Sequence, residues 1–301
     1  MSKRHWIFHA GLLAGSLLFG RGPASAQEHF PSPEAAASAL VEGARAGEGA
    51  LDRIFGPKGR SLLSSGDSQT DAFRREVFLN LAAGWVDVVD GEGGEKVLVF
   101  GKIGWRFPIP LKQTEAGWSF DLVAGQQEII DRAVGRNELT AIGVCADFVA
   151  AQHEYFGALH DDEPVAQYAR RFMSQPGRHD GLYWPPQTPD DRSPLGEGLA
   201  DAAREAGERT SSAFNGYVYR ILTRQGPHAP GGAYDYMVKG RLLAGFAMLA
   251  YPAKWGETGV MTFLCGQNGD VHEINLGPDT AHRVSGIDSF DPGAGWRPVE
   301  E

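Results

Sequence analysis

The chain of 301 residues is long enough for one large domain or two ordinary ones, and its 38 acidic against 28 basic residues give a formal charge of −10. That balance repels nucleic acid, and the Arg170-Arg171 pair, read as a solvated helix face, does not offset it. The two cysteines, Cys145 and Cys265, leave open one disulfide or two separate buried thiols, and without C-x-x-C or histidines at ligand spacing they imply neither a metal nor another cofactor.

Residues 1–26 read as a cleavable secretory leader: Lys3 and Arg4, an apolar run over 7–19, then Ala24-Ser25-Ala26. The run is too short to span a bilayer, and no later segment reaches the roughly 18 apolar residues a membrane helix needs. The expectation is a periplasmic or secreted protein with no transmembrane segment once the leader is removed. Removal takes Lys3, Arg4 and Arg21 but no acid, so the negative balance deepens.

An N-terminal α+β domain is expected over 27–125. Pro31-Ser32-Pro33-Glu34 opens a capped helix over 31–47 with Ala36, Leu40 and Val41 on one face, and Gly56-Pro57 breaks the next helical piece. A third helix, 71–83, carries Phe73, Val77, Phe78 and Leu81 at helical spacing. The period then changes to two over 85–89, 96–100, 105–111 and 118–123, with glycine-bearing turns between, which reads as an antiparallel meander. Helices followed by hairpin-linked strands imply helices on one face of a curved antiparallel sheet. That layout resembles the cone-shaped fold of cystatin-like and nuclear-transport-factor-2-like domains.

A helical bridge with a Pro/Gly-rich loop is expected over 126–212. Its predicted helices are 126–160 and 163–174, with Ile129, Ile130, Ala133, Leu139, Ile142, Val149, Phe156, Tyr168 and Phe172 as core positions. The loop over 175–198 is long enough that a functional role is the better reading, and an alanine-rich helix over 199–213 follows. The remainder, 213–301, reads as a second antiparallel sheet with strands at 216–223, 234–238, 243–251, 259–264 and 271–275. Its strongest hairpin signal is Asn268-Gly269.

Few residues suggest reaction chemistry. His153 and His160 are seven apart beside acids, wider than the i, i+4 spacing of helical metal ligands and lacking a third ligand. Asp161-Asp162-Glu163 before Pro164 is read as capping the next helix. No G-x-S-x-G elbow is present. Glu128, Asp131, Glu138 and Asp147 could supply the acid pair of a glycan hydrolase, but read better as surface or ion-paired groups. Arg106, Arg132, Arg136 and Asp121 read as ion pairs fixing the sheet to the following helix. The functional weight falls on Asp180, Tyr183 and Trp184 in the long loop. Large, rigid aromatic rings flanked by prolines suit binding of a sugar or protein segment, although the plainer reading is that both rings staple the loop to the body.

Five segments taken in order, 105–111 (WRFPIPL), 118–121 (WSFD), 135–139 (GRNEL), 180–184 (DGLYW) and 229–233 (APGGA), resemble the bacterial exported family known as domain of unknown function 2950. The resemblance covers nearly the whole chain after the leader and implies export without implying an activity. Residues 215–277 also resemble the β head of pseudopilins, through Gly245-Phe246-Ala247, Tyr251-Pro252-Ala253, Gly259 and Asn268-Gly269. The leader and the polar segment after it are unlike those of a pilus subunit. The sequence therefore favours a non-enzymatic binding or assembly component of the envelope, with an envelope protein or glycan as partner. An envelope hydrolase acting on glycan is the alternative.

Overall fold

A computed structural model describes residues 27–195 and 213–300. The predicted leader, 1–26, and all but the last residue of the predicted helix 199–213 lie outside the described residues. The chain divides into two compact units, Met1–Gln126 and Gln127–Glu301, and has an α+β architecture.

In the first unit α1 spans Pro33–Ala46, started by Ser32, whose Oγ accepts the Ala35 N–H at 3.2 Å, and by Pro33 in the first turn. The next helix, α2, spans Glu48–Leu63 and folds in two at Gly56, whose φ of +68° only glycine adopts readily, just ahead of Pro57. Asp67 caps α3, Ser68–Ala82, by accepting the Thr70 N–H at 2.7 Å. Of the four apolar residues expected inward on α3, Phe78 and Leu81 pack on the core. Phe73 and Val77 face outward, 66% and 43% exposed.

The strands that follow are β1 (Val86–Asp90), β2 (Lys96–Phe100), β3 (Trp105–Arg106), β4 (Leu111–Thr114) and β5 (Gly117–Phe120). Their order is β1-β2-β4-β5, with β3 also paired to β2. The single strand expected over 105–111 is divided because Pro108 and Pro110 cannot donate to a ladder. Leu98, Phe100, Ile109, Leu111 and Phe120 join Leu40 of α1 and Phe55 of α2 in one core. Gly117 permits the close approach of the segment before α1: a Cβ there would lie 2.5 Å from the Phe30 carbonyl oxygen.

Asp121 then accepts the Val123 and Ala124 N–H groups at 3.0 and 3.2 Å, opening α4, Leu122–Phe156. Its charge partner is Lys112 of β4 at 2.8 Å, which ties the sheet to the start of α4. Among the described residues no helix is long and apolar enough to cross a membrane.

In the second unit α4 buries Ala141, Val144, Cys145, Phe148, Ala151 and Tyr155, a stripe of helical period. Leu139, expected in the core, is 72% exposed on another face. The C-terminal strands begin with β6 (Tyr217–Leu222) and β7 (Arg224–Gln225), continue through β8 (Tyr234–Asp235), β9 (Met237–Val238) and β10 (Arg241–Leu242), and end with β11 (Ala247–Pro252), β12 (Met261–Gly266), β13 (Val271–Asn275) and β14 (Arg297–Pro298). The main antiparallel sheet has the order β14-β13-β12-β11-β6, while β7 pairs β8 and β9 pairs β10. The turn at Asn268-Gly269 joins β12 to β13 as expected, with Cys265 opposite Val271. Cys145 of α4 and Cys265 of β12 form a disulfide, with Cα atoms 5.8 Å apart.

The predicted helix over 163–174 is absent. The backbone donors and acceptors it would need go to tertiary partners. Buried Gln152 of α4 clasps Ala169, donating to its carbonyl at 2.9 Å and accepting its N–H at 2.8 Å. Tyr168 N–H donates to the Leu242 carbonyl at 2.8 Å, and Ser174 N–H to that of Tyr183, also at 2.8 Å. A strap held this way runs extended across α4. With no helix to cap, Asp161 and Asp162 take left-handed φ values of 50° and 59°. Glu163 pairs with Arg241 at 2.8 Å.

Candidate functional site

The three loop residues singled out from sequence fall in one region of the second unit, with three different environments. Residues 175–195 fold back on the C-terminal end of α4, led by a short parallel pairing of Met173 with Tyr183. Asp161 holds the near end of the loop, accepting the His179 N–H at 2.9 Å and Arg178 Nε at 3.3 Å. The Tyr155 hydroxyl donates to the His179 carbonyl at 2.7 Å. Burial first, and the Asp161 charge second, push the Tyr155 phenol up to about 12, which keeps it neutral and able to donate.

Asp180 is a loop-closing residue. Its Oδ1 accepts the Gln175 N–H at 2.8 Å, and its Oδ2 lies 3.7 Å from Arg178 and 3.9 Å from Arg171. A carboxylate engaged on both oxygens shapes the turn and is poorly placed to take a ligand. Trp184 is 5% exposed, so it belongs to the core and offers no binding surface. Its indole packs on His179 with ring centres 4.3 Å apart and on His160 at 5.6 Å, and Tyr155 stacks on His160 at 3.9 Å. Its Nε1 donates to Asp191 Oδ1 at 2.8 Å. The other Asp191 oxygen accepts the Gln187 N–H at 2.8 Å, and that backbone bond, with the indole and His179, holds the Asp191 carboxyl below its ordinary range.

Tyr183 is half-buried: it packs on the core of the second unit and, unlike Trp184, also reaches the surface. It lines an open trough of about 590 Å³ with Pro186, Gln187, Pro189, Arg192 and Leu195. The sequence marked Tyr183 but not the partners from 186 to 195. Only the prolines signalled them, since two rings of fixed φ on either side of a polar stretch make a stiff rim.

Several other candidates are engaged elsewhere. The His153 ring packs on Tyr168 and Phe246, while the His160 Nε2–H donates to the Tyr155 carbonyl at 2.9 Å. Glu128 pairs with Arg132 at 2.7 Å, and Gln127 donates to Asp131 at 2.9 Å. Glu138 Oε1 accepts two consecutive N–H groups, those of Val260 and Met261, at 2.8 and 2.9 Å.

No curated protein and no solved structure matches the chain. The family described as Protein of unknown function (DUF2950) matches residues 27–299, nearly everything after the predicted leader, and the chain, with its Trp184-anchored loop and disulfide-tied second unit, therefore belongs to the DUF2950 family.

Proposed function

We propose that the protein is an exported, non-enzymatic binding component of the bacterial envelope that holds a segment of an envelope protein in the trough beside Tyr183. The observation that carries this reading is the division of labour between adjacent aromatic residues. Trp184 is locked inward by Asp191, and Tyr183 is thereby fixed at the trough with Pro186 and Pro189 around it. A ring and prolines already held in place lose little entropy on binding, which suits an extended polar chain.

The glycan-hydrolase reading needs two carboxyls facing one cleft about 5 to 9 Å apart. Glu128 and Glu138 are committed to Arg132 and to the β12 backbone, which speaks against it. No observation supports a pseudopilin-like head or a cone-shaped closure of the first sheet, and the proposal uses neither.

The test is photo-crosslinking in intact cells from a benzoyl-phenylalanine placed at Tyr183, with a second probe at exposed Leu139 as control. One discrete protein adduct from position 183 and none from position 139 is the expected result. A glycan adduct at position 183, or the same products from both positions, would overturn it.

A further inference from the structure

The first unit contains a cleft of about 350 Å³, within the size range of small-molecule sites and separate from the Tyr183 trough. Its apolar wall is formed by Leu40, Leu51, Leu63, Phe78, Trp105 and Phe107. The break in α2 at Gly56 builds it. The half of α2 before the break brings Leu51, the half after it brings Leu63, and Asp52 and Arg60 pair across the bend through two hydrogen bonds. Asp71 of α3 closes the α2–α3 turn, accepting from Ser64 Oγ at 2.7 Å, Ser65 N–H at 2.8 Å and Ser65 Oγ at 2.7 Å.

These bonds decide which groups at the mouth are free to bond a ligand. Asp52 pairs with Arg60, while Asp71 keeps its negative charge, its carboxyl held below the ordinary range by the two serines and, more weakly, by the Arg74 charge. Arg74 and Arg75 also line the cleft, and neither has a hydrogen bond or an ion pair within 4.0 Å among the described residues. Glu48 is the one lining acid without such a bond among the described residues. An apolar wall edged by two guanidinium groups whose N–H donors make no hydrogen bond among the described residues complements a molecule with an apolar body and an anionic end. A neutral apolar ligand would leave both charges idle. A hollow of this volume suits a small molecule.

We propose that this cleft binds a small anionic amphiphile of the fatty-acid class, with its chain against Phe78 and Trp105 and its carboxylate on Arg74 and Arg75. The proposal does not rest on the Tyr183 trough, and its test leaves that site untouched.

Calorimetric titration of the full chain with decanoate, and separately with decanol, tests it. Decanoate should bind more tightly than decanol. The double substitution Arg74→Gln and Arg75→Gln should weaken decanoate about tenfold or more and leave decanol unchanged. Leu63→Trp, which fills the cleft, should abolish both, and its circular dichroism spectrum reports whether it folds. Absence of decanoate binding, equal affinity for the alcohol, or an unchanged affinity in the arginine variant would each overturn the proposal. The arginine variant suffices for this decision if Leu63→Trp fails to fold.

Discussion

The Trp184 indole N–H and the Asp191 carboxylate, 2.8 Å apart, close the long Pro/Gly loop from within. The bond is charge-assisted, and Asp191 also takes the Gln187 N–H, so one acid sets both the depth of the tryptophan and the path of the chain past it.

Trp184→Phe keeps an aromatic ring in the core but removes the N–H together with the five-membered ring that carries it, so the expected loss combines the bond to Asp191 with lost packing on His179 and His160. Urea unfolding of Trp184→Phe, Asp191→Ala and the double variant measures it. The double variant should lose clearly less than the two singles combined, and strict additivity would show that the pair does not act as a unit.

The Cys145–Cys265 disulfide closes a loop of 120 residues in sequence. Constraining the unfolded chain over that length, replacement of both by alanine should cost about 2–4 kcal/mol. Wild-type protein in reductant should match the variant. Equal urea midpoints for oxidised and reduced protein would refute this.

Burial holds His160 below its ordinary value of 6.5, a displacement to which His179 adds and which the Tyr155 carbonyl and Asp161 oppose. Between the depressed folded value and 6.5 the unfolded chain binds more protons at this site, so stability rises with pH there. The contribution is full above 6.5 and is lost as pH falls through the folded value. His160→Gln, whose amide can still donate to the Tyr155 carbonyl, should flatten this part of the urea-midpoint profile between about pH 5 and pH 8. An unchanged slope would show that the slope arises at other groups.

Much of the fold is legible in the sequence because its signals are local. Ser32 and Asp67 cap helices, β2 begins and ends where the alternation does, and Asn268-Gly269 turns the chain between β12 and β13. The strap after α4 is not legible. Residues 163–174 have a helical pattern, but Gln152, seventeen residues before Ala169, takes both of that residue's backbone groups, and no local rule foresees such a clasp. The loop site was legible by residue type and not by direction. Tyr183 and Trp184 are adjacent, yet one reaches the trough while the other is closed off in the core. The first-unit cleft was half legible: the break at Gly56-Pro57 shows in the sequence, but no local signal says that it spreads two leucines of one helix around a hollow.

The stripe on α4 that bears Cys145 and Phe148 has most of its cover in segments written much later in the chain, with the partner cysteine 120 residues downstream. The first unit can complete its own core as soon as it emerges. The long helix that follows it in the chain must wait with its apolar side bare while the strap, the loop and most of the second sheet are still being delivered. A chain that emerges from its N-terminus therefore has a built-in interval of vulnerability to aggregation, beginning at α4 and ending when β12 arrives.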